Sequence, residues 1–191
     1  MSKKQKLLLI SLALLIVAVV GSTSAFFVTS DRAHNVITTD GVSIDLIEST
    51  DRVGVDGRPI PFTNIDNAMP GGTYSKIPQV KNTDHGDVWV RILVKNSAKA
   101  ADGSVISAPA DAIQADYNTH NWLNGGDGYY YYYRALKAGE TTEPLFTKVT
   151  LSKKLSASFA NTSFSIDIVA QGVQVANNGN NIYEAEGWPE E

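Results

Sequence analysis

The run VWVRILVKN, Val88 to Asn96, decides how the rest of the chain is read. In an extended strand Val88, Val90, Ile92 and Val94 fall on one side, and Trp89, Arg91, Leu93 and Lys95 on the other. One face is wholly apolar and the second is amphipathic rather than polar. Working outward, VSIDLIE (Val42 to Glu48) sets Val42, Ile44 and Leu46 against Ser43 and Asp45, the pattern of a half-buried strand. SFSIDIVAQGVQV (Ser163 to Val175) places Phe164, Ile166, Ile168 and Ala170 on one side. GYYYYYRAL and LFTKVTL supply further strands, and IPQVKN (Ile77 to Asn82) a shorter one. Between them VDGRPIP, AMPGGTY, ADGS, NGGDG and KAGE carry the Gly, Pro and Asp residues that set turn geometry. About seven strands at this spacing, without βαβ alternation, predict an all-β fold, an antiparallel sandwich or jelly roll. A short helix is expected only within SAPADAIQADYNTHNW, over Ala110 to Tyr117 and packed across a sheet edge. The tail, residues 177–191, offers Tyr183 and Trp188 either to a terminus pinned on the body or to a disordered end.

The N-terminus has the layout of an export signal. Lys3, Lys4 and Lys6 precede an apolar run from Leu7 to Val20, followed by the small residues GSTSA. That run is shorter than the ~20 residues a bilayer-spanning helix needs. Thr23 and Ala25 suit the −3 and −1 positions of a signal peptidase site. The expectation is a signal helix in residues 1–25, cleaved after Ala25 to leave Phe26 first; a retained anchor is the alternative. Loss of the three lysines takes the formal charge from −4 to −7. An acidic surface argues against nucleic acid and against anionic lipid. There is no cysteine, which excludes thiol catalysis, iron–sulfur clusters and cysteine-ligated zinc.

No catalytic constellation emerges. His34, His85 and His120 are far apart, and none has the glutamate or second histidine of H-E-x-x-H. No G-x-S-x-G elbow occurs. NGGDG lacks the lysine and following helix of a phosphate loop and reads as a hairpin turn before the tyrosines. Asn64, Asp66 and Asn67 suggest at most a loose surface calcium site, without the closing glutamate of an EF-hand loop. No cofactor is expected. In GYYYYYRAL, Tyr129, Tyr131 and Tyr133 face away from Tyr130 and Tyr132. The strand is read as part of the core, with an aromatic platform for a sugar or a neighbour as the alternative.

Several of these stretches together resemble one family. The signal ending in small residues, then AFFVTSD, NVIT and VSIDL, is similar to the TasA, CalY and camelysin group of exported bacterial proteins. The likeness continues through MPGGTYSKIPQVKNT, DVWVRILV, the aromatic run after NGGDG, KAGETTEPLFTKVTL and IDIVAQGVQVANNG. Asp40 departs from the glycine common there, and the junction Ala25-Phe26-Phe27 departs from a strict consensus. The resemblance implies a secreted jelly-roll β-sandwich, released by a signal peptidase of the SipW type. It implies a major subunit of extracellular, biofilm-matrix fibres at the bacterial surface, with an accessory matrix protein as a potential partner. It also implies that the N-terminal segment of one subunit completes the sheet of the next.

On this reading residues 1–25 are the signal, 26–40 a donor segment, 41–176 the sandwich and 177–191 the tail. Strand pairing alone roughly breaks even, because a backbone hydrogen bond contributes about 0.5–1.5 kcal/mol net while ordering a residue costs about 1–2 kcal/mol. Burying Phe26, Phe27 and Val28 at about 1.5–3 kcal/mol each tips the balance. Phe26, Phe27, Val28 and Ile37 are therefore the expected anchors, and cleavage after Ala25 is the step that releases them. The alternative is that this segment pairs within its own subunit as a first strand. Two readings of other classes stand beside the fibre subunit: a camelysin-type secreted metalloendopeptidase and a monomeric surface adhesin.

Overall fold

Val88, Val90 and Ile92 are almost completely buried, at 1%, 0% and 0% exposure, so the apolar side of the deciding strand faces the core. The structure is a computed structural model; it describes residues 35–38, 41–63, 65, 68–155, 159 and 161–189, all within one compact unit, Ala33–Glu191. Among the described residues twelve strands follow in order: β1 (Asn35–Thr38), β2 (Ile44–Val53), β3 (Pro59–Pro61), β4 (Thr73–Ser75), β5 (Ile77–Asn82) and β6 (Val88–Lys99). After them come β7 (Val105–Ile106), β8 (Ile113–Ala115), β9 (Trp122–Asn124), β10 (Tyr129–Tyr132), β11 (Lys148–Leu151) and β12 (Ser163–Gln174).

The main sheet runs β1-β12-β6-β10-β9, with β7 also on β6. β6 and β12 pair antiparallel along their whole lengths, from Ser163 opposite Lys99 to Gln174 opposite Val88. Two three-stranded sheets, β3-β2-β5 and β4-β11-β8, complete the set. Residues from all three sheets meet in one core: Ile44, Leu46 and Val80, then Val149, then Val90, Ile92 and Ile168. Stacked antiparallel sheets around one apolar interior are the solution available to a chain whose strands each have an apolar face.

The hairpin turns fall where the sequence placed them. Gly125 donates to the carbonyl of Tyr129 across the NGGDG turn, and Ala100 to that of Ser104 across ADGS. Pro59 and Pro61 are tolerated in β3 because it is an edge strand, where a missing N–H costs no ladder bond. The long connection from Leu136 to Leu145 closes the outer edge of β5. Thr142 donates its amide to Val80 O and receives the amide of Val80 on its hydroxyl. Asn82, fully buried, donates to the carbonyls of Gly86 and Leu136 and accepts from the amide of Asp84.

One expectation is corrected. The segment Ala110 to Tyr117 is not a helix; a turn leads into β8, which pairs with β11 through Ala115 opposite Val149. Exposure there alternates, with Gln114 and Asp116 outward and Ile113, Ala115 and Tyr117 half-buried. The period of two wins over the helical propensity of the Ala-rich composition because Ile113 and Ala115 pack on the core. Asp116 then accepts hydrogen bonds from the amides of Thr147 and Lys148 and the hydroxyl of Thr147, which ties β8 to the start of β11. Among the described residues there is no α-helix. The expected signal helix lies outside the described residues.

Candidate functional site

β12 is the longest partner of β6, yet its opposite edge is only partly used. β1 runs parallel to it and opposes only Val169 to Gly172, through Asn35, Val36, Ile37 and Thr38. Among the described residues, Ser163 to Ile168 have no strand on that edge. Their inward side carries Phe164 and Ile166, half-buried, and Ile168, buried. An edge with unpaired N–H and C=O groups above an apolar row is a template for a further strand. Gly172 marks the other end of the covered stretch: a β-carbon there would meet the side chains of Ile44 and Val42 at 3.3 Å, tighter than ordinary contact.

Of the residues singled out for assembly, Ala25, Phe26, Phe27 and Val28 lie outside the described residues. Ile37 lies in β1, opposite Gln171 of the same chain. The described part of the 26–40 segment thus pairs within its own chain. His34, Asn64, Asp66 and Asn67 also fall outside the description. His85 and His120 are exposed in separate turns, and among the described residues no three acidic or histidine side chains gather as a metal cluster would require.

A second constellation lies on the outer face of the main sheet, centred on Arg91 of β6. Its Nε donates to Gln171 Oε1 at 2.7 Å and its Nη1 to the Tyr131 hydroxyl at 3.1 Å. The guanidinium carbon sits 3.8 Å from the ring centre of Tyr129 and 4.5 Å from that of Trp188. Tyr131 in turn donates to Asp127 at 2.6 Å. Partial burial would raise the carboxyl of Asp127, but the bonds from Tyr131 and the Tyr129 amide, with the charge of Arg91, hold it below the usual range. Burial and the same bond to Asp127 push the Tyr131 hydroxyl upward.

The tyrosine run therefore divides as alternation requires. Tyr132 is buried, tilted against Trp122, and Tyr130 stacks on Tyr117 with centres 4.4 Å apart. Tyr129 and Tyr131 are engaged by Arg91 on the outer face, and Tyr133 is exposed. Reading β6 as amphipathic located Arg91 on the side of Trp89 but gave no hint of its partners, which come from β10, β12 and the tail. The tail itself is pinned: Trp89, Val173, Ile182 and Ala185 form a second buried cluster, with Trp188 packed beside it.

A third polar pair is internal. Lys76, 4% exposed, is bonded to Glu48 and lies 4.1 Å from the ring centre of Phe62.

No family model matches the chain, and no curated protein matches it. Among solved structures it is similar to the ASH/PapD-like domain of human CEP192 (PapD-like domain 7), at 10% identity and a TM-score of 0.36, over 78% of this chain and 95% of that one. A likeness that distant carries no argument about function.

Proposed function

We propose that the chain is a secreted, non-catalytic structural subunit of the TasA, CalY and camelysin kind. It is cleaved after Ala25 by a SipW-type peptidase and assembles outside the bacterial cell into matrix fibres. In this reading the sandwich is a jelly roll, and the N-terminal segment of one subunit adds to the sheet of the next.

The observation that carries the proposal is the edge of β12, which is half covered among the described residues. Val36 lies opposite Ala170 and packs on the main core, so even-numbered residues of that strand face inward. Continued backward in the same register, the chain's own His34, Arg32 and Ser30 would stand against Ile168, Ile166 and Phe164. Polar and charged side chains there would lose hydration without gaining partners. Phe26 and Val28 of another subunit have the two-residue spacing and the apolar surface that this row calls for. Removal of the signal frees them to reach it.

Electron microscopy of chain beginning at Phe26, beside chain lacking Phe26 to Ser30, tests the reading. Fibres from the first and monomers from the second are expected. Fibres from both would place the joint elsewhere, and fibres from neither would remove the structural role.

A further inference from the structure

The outer face of the main sheet is apolar around Trp89, Val173, Leu123 and Tyr131, and among the described residues it is covered by the C-terminal strap, residues 178–189. The strap holds its own shape. Asn178 pairs twice with the backbone of Glu186, donating to its carbonyl at 3.0 Å and accepting from its amide at 2.8 Å. Glu184 accepts from the Asn180 amide and the Asn181 side chain, and Trp188 donates to the carbonyl of Ala185. Tyr183 and Glu184 donate their amides to Asn181.

Its attachment to the sheet is of another kind. Among the described residues no strand ladder joins the two. Trp89 donates its indole N–H to Asn178 O, Gln171 donates to Pro189 O, and Arg91 stacks on Trp188. Ile182 and Ala185 fill the apolar face beneath. Three side chains at regular spacing, 182, 185 and 188, thus point at the sheet from a segment that is otherwise satisfied within itself. The segment joins β12 through Asn177, which has a φ of 58°, a left-handed turn conformation that asparagine adopts more readily than other non-glycine residues.

We propose that this face is a peptide-docking surface whose ligand is the strap, seated here by its own chain and exchangeable with the strap of a second copy. A self-shaped segment bound by side chains can leave without breaking a ladder bond, and exchange of an identical element between copies reproduces every contact it gives up. The opened chain would expose Trp89 and Val173 and leave Arg91 with Tyr129, Tyr131 and Gln171 but without Trp188. The inference is independent of the fibre reading, because it uses neither the N-terminal segment nor the free edge of β12.

The test uses the full chain carrying Ile182→Asp and Trp188→Ala, and a fluorescent synthetic peptide of residues 176–191. Saturable binding to this variant is expected, with the intact chain binding at least about tenfold more weakly because its own strap competes. A peptide bearing the same two substitutions should not bind. A variant that keeps its β-sheet circular dichroism yet binds no peptide would overturn the proposal, as would equal binding to both chains. Hydrogen exchange on the intact chain keeps the proposal testable if the variant fails to fold. Strap amides should exchange together, at least about tenfold faster than those of β6 and β12; equal protection would make the strap an integral part of the sandwich.

Discussion

The guanidinium carbon of Arg91 lies over the Trp188 ring, 4.5 Å from its centre, joining the middle of β6 to the C-terminal tail. The same carbon lies 3.8 Å from the Tyr129 ring centre and Tyr131 meets the Trp188 ring edge-on, so the guanidinium is held by aromatic surface as well as by hydrogen bonds. Truncating Trp188 to Ala should cost about 2 kcal/mol, the sum of a half-buried aromatic and a cation–π contact. Arg91→Lys keeps the charge but loses the planar fork that bonds Gln171 and Tyr131 while stacking, and should cost about 1 kcal/mol. Urea denaturation read by far-ultraviolet circular dichroism measures both.

The internal ion pair predicts an asymmetry. Lys76 is more deeply buried than Glu48, with side-chain exposures of 5% and 26%. Glu48→Ala therefore strands a buried ammonium and should cost about 3 kcal/mol, whereas Lys76→Met leaves a carboxylate that can reach water and should cost about half as much. The double substitution Glu48→Leu with Lys76→Met should be milder than Glu48→Ala. Denaturation midpoints of the three variants decide the order.

Acid should weaken the fold through Asp116 and Asp127. Partial burial would raise both carboxyls, but hydrogen bonds prevail: from the Thr147 hydroxyl and two amides at Asp116, and from Tyr131 and an amide at Asp127. A carboxylate depressed in the folded state contributes stability that is complete above its unfolded pKa, near 4, and is lost as pH falls through the folded value. Melting temperature should be level between about pH 7 and pH 5 and fall below about pH 4. Asp116→Asn with Asp127→Asn should lower the plateau and flatten the fall, as calorimetry across this range would record.

Of the two strap glycines at positive φ, Gly179 and Gly187, the first also lacks room for a side chain. Gly179 has a φ of 74°, and a β-carbon there would lie 2.8 to 3.0 Å from the β-carbon, carbonyl carbon and carbonyl oxygen of Glu184. Gly179→Ala should disorder residues 178–186 while β6 and β12 remain protected from hydrogen exchange. Protection retained in the strap would show that the Asn178–Glu186 pairing absorbs the clash.

At the edge of β12 that is unpaired among the described residues, Ile166→Asp places a charge in the inward row without touching the β6 ladder. Fibre formation by the chain beginning at Phe26 should be lost while the melting temperature changes by only a few degrees, about 1–2 kcal/mol for a half-buried site. Fibres that survive the substitution would exclude this edge as the acceptor.

Strand positions were legible because their signal is local. Ile77 to Asn82 is a strand with those bounds, and Val88, Val90 and Ile92 face the core as their alternation requires. Ile113 to Ala115 was misread because Ala, Gln and Asp favour a helix locally, and only packing of Ile113 and Ala115 against the core selects the period of two. The short strands Pro59–Pro61, Thr73–Ser75 and Trp122–Asn124 are too brief to alternate visibly and exist because a longer strand offers them an edge.

By itself the sequence determined the all-β class, the faces of the long strands and the turns, since side-chain alternation and glycine or proline geometry act within a few residues. The tertiary structure alone decided that, among the described residues, β12 is paired for only part of one edge, that Arg91 lies between aromatic partners from β10 and the tail, and that the tail covers Trp89. Those relations join segments far apart in the chain. They depend on which surfaces remain uncovered once the sheets have stacked, and no local pattern carries that information.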